Sequence, residues 1–115
     1  MFIKFTHLKC SRLYVEAEGK LDIYNAPDYL DEITEHIKRK YANELILEFS
    51  KISYIASIGL RSILELHKFM QERNGIMKLR NVNEDILYTL QITGFDDFLN
   101  IDNDSEDITE EDIAE

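Results

Sequence analysis

The chain of 115 residues has little of what several classes of protein require. Its single cysteine, Cys10, cannot form an internal disulfide and is typical of a protein of the reducing cytoplasm. Three histidines, His7, His36 and His67, lack the spacing of metal ligands, so we expect no metal site. No apolar run approaches the roughly 20 residues of a membrane-spanning helix, and the first residues lack the pattern of a secretory signal. These absences predict a soluble, cytoplasmic protein without membrane insertion.

Basic charge is also scarce. The chain has 23 Asp and Glu against 13 Lys and Arg, which gives a net charge of -10. Residues 102–115 hold eight of the acids and no base, so residues 1–101 carry 15 acids and 13 bases. Neither part has the basic stripe that binding to a phosphate backbone requires. Nucleic acid is therefore not an expected partner.

The acidity divides the chain into one domain of residues 1–101 and a tail of residues 102–115. Blocks of like charge are usually disordered, and we expect the same of this tail. Ile108 and Ile113 are too sparse to predict a docking helix. Solubility is the simplest role for the tail, and an electrostatic arm or an autoinhibitory strip is the alternative.

Hydrophobic periodicity predicts an α/β fold within the first 101 residues. Short strands are expected at residues 2–5, 13–17, 45–49 and 76–79, and helices near Asn25, Ser57 and Asn83. The order is β-β-α-β-α-β-α, which predicts a mixed sheet with an antiparallel first hairpin, helices packed against it and part of it left open. The apolar run at 45–49 is typical of a central, buried strand.

Several residues mark the ends of the predicted helices. Asn25 is a candidate N-cap, with Pro27 in the first turn and Asp28 placed to complement the helix dipole. Asn83 is a candidate N-cap of the third helix, and Gly94 is expected to end it.

The usual signatures of catalysis are missing. The sequence has no Gly-rich dinucleotide loop, no Walker A motif and no G-x-S-x-G elbow. Its acids recur on the polar faces of the predicted helices, and no histidine has an evident Ser or Cys partner. We therefore expect neither an enzyme nor a cofactor.

The most informative stretch is residues 50–61, which leads from a buried strand into a helix. Ser57 is placed at the start of this helix, where its hydroxyl can cap free backbone N–H groups. The same position suits phosphorylation, because a helix N-terminus stabilises the charge of about -1.5 to -2 that a phosphate adds. The residues alone leave both roles open.

Residues 2–100 resemble a STAS domain, the fold of the bacterial anti-sigma factor antagonists. Three segments in the expected order carry the resemblance: Gly19-x-Leu21-Asp22, the run Tyr-Ile-Ala-Ser-Ile-Gly-Leu-Arg at 54–61, and Thr93-Gly94-Phe95. The family's loop usually reads Asp-Ser-Ser/Ala-Gly-Leu, and a cognate anti-sigma factor, which is a serine kinase, phosphorylates the serine after the aspartate. Here that serine matches Ser57. Ala56 replaces the aspartate, and Ile58 is bulkier than the usual small residue.

The resemblance implies a surface that binds the kinase and is switched off by phosphorylation of Ser57, with a phosphatase reversing the switch. Its expected residues are Asp22, Asn25, Ala56, Ser57, Ile58, Gly59, Leu60 and Arg61. From the residues alone, Asp22 is a turn residue that bonds local backbone, and the two roles can coexist. The alternatives are a STAS scaffold or accessory subunit of a transport or stress-signalling complex without phosphorylation, and a STAS domain that binds a small molecule or nucleotide.

Overall fold

The computed structural model describes residues 1–114 and places six strands and three helices along them. The strands are β1 (Phe2–Leu8), β2 (Arg12–Leu21), β3 (Glu44–Glu48), β4 (Ile52–Ile55), β5 (Ile76–Arg80) and β6 (Asn100–Asp102). The helices are α1 (Ala26–Lys40), α2 (Ser57–Glu72) and α3 (Glu84–Ile92), and short 3-10 turns follow at Phe95–Asp97 and Glu110–Asp112. The predicted helix starts are confirmed, whereas β4 and β6 were not predicted.

The strands form one mixed sheet in the order β1-β2-β3-β5-β6. β1 pairs with β2 antiparallel, and the pairs from β2 to β6 are parallel. β4 lies off this path and pairs with the end of β2. The mixed α/β sheet and the central position of residues 45–49 are therefore confirmed.

A bulge at Gly19 lets one edge of β2 pair with two strands, β3 and β4. Residues 12–16 of β2 pair with β3, and residues 19–21 pair with β4 after a register shift between Gly19 and Lys20. Gly19 has a φ of +123°, which residues with a side chain rarely adopt. The bulge thus directs the end of β2 toward the strand that precedes α2.

Side chains alternate between the two faces of the sheet. On one face Val15, Leu47 and Leu79 are fully buried in the main core, together with the apolar faces of the helices. Asn83 caps α3 as predicted, since its Oδ1 accepts the N–H of Ile86 at 2.8 Å, and Gly94 follows α3 in the left-handed conformation. Because residues of all three helices share this core with the strands, the helices lie on one side of the sheet.

The face without helices carries a buried polar cluster. The Glu48 carboxylate accepts hydrogen bonds from the Tyr14 hydroxyl at 2.9 Å and from Asn81 Nδ2 at 2.9 Å. Its Oε1 lies 3.7 Å from Nε of Arg80, and both side chains are almost completely buried. Burial is the larger cause and the hydrogen bond to Glu48 the second cause of a pKa of Tyr14 above its usual range. We call this side, which carries no helix, the open face. Residues 103–114 cover part of it.

Residues 103–114, here named the strap, cross the open face from β6 to the other edge of the sheet. Ile108 packs against Leu8, Tyr14 and Ile46, and Ile113 forms a bridge with Leu8. The structure therefore differs from the disordered tail expected from composition. The physical reason is that the sheet supplies backbone partners and an apolar contact which the local sequence does not reveal.

None of the three helices combines the length and the apolarity that crossing a lipid bilayer takes, within the residues that the structure describes.

Candidate functional site

The two segments expected to form the site meet where β2 and β4 end. The Ala56 N–H donates to the Leu21 carbonyl at 2.9 Å, so the start of α2 lies beside the turn that follows β2. Pairing of β2 with β4 brings Leu21 opposite Ile55 in the same region. The sheet thus places Asp22 and Ser57, which are distant in sequence, on adjoining turns.

Asp22 shapes the turn between β2 and α1. Its Oδ1 accepts the N–H groups of Tyr24 at 3.0 Å and Asn25 at 3.1 Å, which is the local backbone bonding expected of a turn aspartate. Asn25 occupies the N-cap position of α1, but its side chain makes no capping bond and instead donates to the Lys20 carbonyl at 2.8 Å. The expected side-chain cap is therefore wrong, because this amide ties the turn back to β2.

Ser57 does not cap α2. The N-cap is Ala56, with extended backbone angles (φ -91°, ψ 174°), and its carbonyl accepts the Leu60 N–H at 3.0 Å. Ser57 is the first helical residue, its side chain is exposed, and the helix start has no side-chain capping bond. The capping role is wrong because the bond from Ala56 to Leu21 holds the preceding residue in the extended conformation.

The start of α2 is suited to an anion. The first N–H groups of a helix have no partner within it, and the helix dipole places partial positive charge there. The first turn of α2 contains no acidic residue that would compete for this position. A phosphate on the exposed hydroxyl of Ser57 would lie close to these N–H groups.

Gly59 sets how closely α2 approaches the end of β2. A Cβ on Gly59 would lie 2.5 Å from the Leu21 carbonyl oxygen and 2.7 Å from Cγ1 of Ile55. Gly59 is buried, Ile58 and Leu60 are half-buried, and Arg61 is exposed. The expected site residues therefore divide into one packing residue and a set that reaches solvent.

Gly59→Ala is expected to destabilise the fold by about 1–3 kcal/mol, because the added methyl group overpacks against the backbone of β2. This cost exceeds the fraction of a kcal/mol that alanine gains as a helix former in a first turn. Urea unfolding followed by circular dichroism measures the change. Ser57→Ala in the same turn is the control and should change stability by no more than about 0.5 kcal/mol. Equal stability of Gly59→Ala and the unmodified chain would contradict the close approach.

Two features of the site escaped the sequence reading. Ser62 is buried and its hydroxyl lies 3.3 Å from the Ala26 carbonyl and 3.1 Å from the Ile58 carbonyl, which joins the start of α2 to the start of α1. Ile23, Tyr24 and Tyr54 expose large apolar side chains, at 67%, 83% and 52%. Two adjacent apolar residues in a predicted turn, Ile23 and Tyr24, were the available signal for an interaction surface.

Comparison with known proteins supports the same fold. The family model described as the STAS domain matches residues 6–108. The chain is 27% identical over 94 residues to the anti-sigma-B factor antagonist of Bacillus subtilis (strain 168), covering 82% of this chain and 84% of that protein. It is 26% identical over 103 residues to the anti-sigma F factor antagonist of Paenibacillus polymyxa, covering 89% and 88%. The Bacillus cell fate determinant SpoIIAA in its phosphorylated form superposes with a TM-score of 0.70 at 17% identity, covering 96% and 94%.

Proposed function

Since the chain belongs to the STAS domain family, we propose that it acts in the cytoplasm as an anti-sigma factor antagonist that phosphorylation of Ser57 switches off. Without phosphate, it binds an anti-sigma factor that is a serine kinase, and the sigma factor is released. The observation that carries the proposal is the exposed Ser57 hydroxyl at the first position of α2. Two relatives named as anti-sigma factor antagonists support the partner class.

The partner surface consists of the turn after β2 and the first turn of α2. Asp22 and Asn25 hold the turn after β2 by hydrogen bonds. The start of α2 is formed by Ala56, Ser57 and Ile58. The remaining residues proposed for this surface are Gly59, Leu60 and Arg61, with Gly59 setting the helix position from below. Exposed Tyr24 and Ile23 add apolar area next to Asp22.

The switch is a phosphoryl transfer followed by electrostatic repulsion. The Ser57 hydroxyl oxygen attacks the terminal phosphorus of ATP, the bond from that phosphorus to ADP breaks, and the hydroxyl proton passes to a base of the kinase. The product carries about -1.5 to -2 charge at the centre of the binding surface. A phosphatase restores the hydroxyl and releases inorganic phosphate by adding water to the phosphorus.

Ser57→Asp is expected to leave the fold intact and to weaken binding of the kinase at least about tenfold, which takes only about 1.4 kcal/mol. The fold survives because an acidic side chain is favourable at a helix N-terminus. The measurement is isothermal titration with the kinase-type anti-sigma factor of the same organism, alongside a thermal melt. Ser53→Asp, which places the same charge on an exposed residue of β4, is the matched control and should bind more tightly than Ser57→Asp.

Phosphorylation itself is tested with the same kinase and ATP. Mass spectrometry should find a single phosphate on the unmodified chain and none on Ser57→Ala. A phosphate on Ser53 or Ser50, or equal binding of Ser57→Asp and the unmodified chain, would contradict the switch. If no phosphate is found and Ser57→Asp binds as tightly as the unmodified chain, the better function is a STAS scaffold without phosphorylation, which the alanine at position 56 favours.

A further inference from the structure

Hydrogen bonds to residues 80–82 hold the start of the strap. The Asn103 side chain brackets Val82, since its Oδ1 accepts the Val82 N–H at 2.9 Å and its Nδ2 donates to the Val82 carbonyl at 3.3 Å. Three residues further along the strap, the Glu106 carbonyl accepts a hydrogen bond from Nη2 of Arg80 at 2.8 Å. These bonds direct the chain from β6 onto the open face.

The strap ends by extending the sheet. The Lys9 N–H donates to the Asp112 carbonyl at 2.8 Å, and the Ala114 N–H donates to the His7 carbonyl at 2.9 Å. These bonds lie on the edge of β1 that β2 leaves free. Addition of an extended segment to a sheet edge is a common way of binding peptides, because backbone bonds supply affinity without requiring one particular sequence.

Between these two ends the strap does not pack closely against the sheet. A cavity of about 340 Å³ remains between the strap and the sheet. On the sheet side its charged lining residues are Arg12, Lys78, Arg80 and Glu44, and on the strap side they are Glu106, Asp107 and Asp112. Basic groups of the sheet thus face acidic groups of the strap, a complementarity that favours acidic occupants.

The apolar part of the contact is small. Ile108 is the strap residue that packs on the buried cluster of Leu8, Tyr14 and Ile46, and Ile113 remains 42% exposed. Arg80 lies beneath, 3% exposed, and its Nε has no hydrogen-bond partner in residues 1–114. A segment held by one aliphatic side chain and a few backbone bonds can open without unfolding the domain.

We infer that the open face is a second interaction surface, which binds an acidic, extended segment of a partner protein in the place that the strap occupies. The binding segment needs an aliphatic side chain over Leu8, Tyr14 and Ile46, acidic groups toward Arg12 and Lys78, and backbone pairing with the edge of β1. The strap competes with it within the same chain. No hydrogen bond joins residues 103–114 to residues 53–61, so this surface is separate from Ser57 and does not rest on the proposed function.

The test uses a fluorescein-labelled synthetic peptide of residues 103–114 as the acidic segment. The full chain with both Ile108→Ala and Ile113→Ala has a loosened strap and should bind this peptide at least about tenfold more tightly than the unmodified chain, because its surface is free more of the time. Binding should weaken as salt rises, and adding Arg12→Ala and Lys78→Ala should weaken it further. Ser57→Asp should leave it unchanged.

Two controls keep the result decisive. A peptide carrying Ile108→Asp should bind neither chain, since it lacks the aliphatic contact. If the loosened chain does not fold, excess peptide added to the unmodified chain should shift the amide resonance of Ala114, because the displaced strap loses the bond from this N–H to the His7 carbonyl. Equal affinity of both chains for the peptide, or no binding and no shift, would overturn the inference. A concentration-dependent dimer of the unmodified chain would also overturn it, because the occupant would then be the strap of a second copy.

Discussion

Glu48→Ala is expected to lower the free energy of unfolding by about 3–5 kcal/mol. The change leaves the guanidinium of Arg80 buried without its anionic partner. It also removes the acceptor of three hydrogen bonds, which come from the Tyr14 hydroxyl, the Asn81 amide and the Ser50 N–H. Each donor left unpaired in the interior costs free energy of its own. Urea unfolding monitored by circular dichroism gives the value.

Glu44→Ala is the matched control for this prediction. Glu44 begins the same strand and its side chain is only half-buried, so its loss should cost no more than about 0.5 kcal/mol. A loss below about 1 kcal/mol for Glu48→Ala would mean that water reaches Arg80 readily. The strap would then not shield the polar cluster from solvent.

Leu47→Ala is expected to cost about 2–5 kcal/mol through lost burial and the cavity left behind. Leu47 is fully buried and lies between Val15 of β2 and Leu79 of β5, which are themselves fully buried. Leu47→Met is the control, because it nearly conserves volume and should cost less than about 1.5 kcal/mol. Similar unfolding midpoints for the two variants would place Leu47 outside the packed core.

Local patterns were sufficient for most of the helices and for the central strand. The apolar run at 45–49 and the caps at Asn83 and Gly94 act over a few residues, and these predictions are confirmed. The start of α2 was also correct, but not its cap. Ala56 has no capping side chain, and the conformation that makes it the N-cap depends on its bond to Leu21, from another part of the chain.

The elements that escaped prediction depend on distant partners. β4 has only four residues and becomes a strand because the bulge at Gly19 turns β2 toward it. β6 has three residues and pairs with β5. The acidic composition of the strap predicted disorder. The strap is nevertheless held by hydrogen bonds from the Arg80 side chain and from the backbone N–H groups of Val82 and Lys9, which its composition does not reveal.

The sequence predicted which segments form the site, but it did not predict the contacts between them. The motif at 54–61 located the start of α2, and Gly19-x-Leu21-Asp22 located the turn beside it. The sequence did not show that Gly59 is required by the Leu21 carbonyl, or that Ser62 joins two helix starts. Both facts arise from packing between elements, which a pattern along one segment does not contain.

The bridge between Leu8 and Ile113 joins β1 to the residue that follows the 3-10 turn at Glu110–Asp112. Closing so long a loop costs entropy that only a preformed sheet can offset. We therefore expect the strap to be the last part of the domain to fold. During synthesis on the ribosome, the hairpin of β1 and β2 emerges before the acidic strap. A nascent domain thus exposes Arg12 and Lys78 on the open face before the strap is available to cover them.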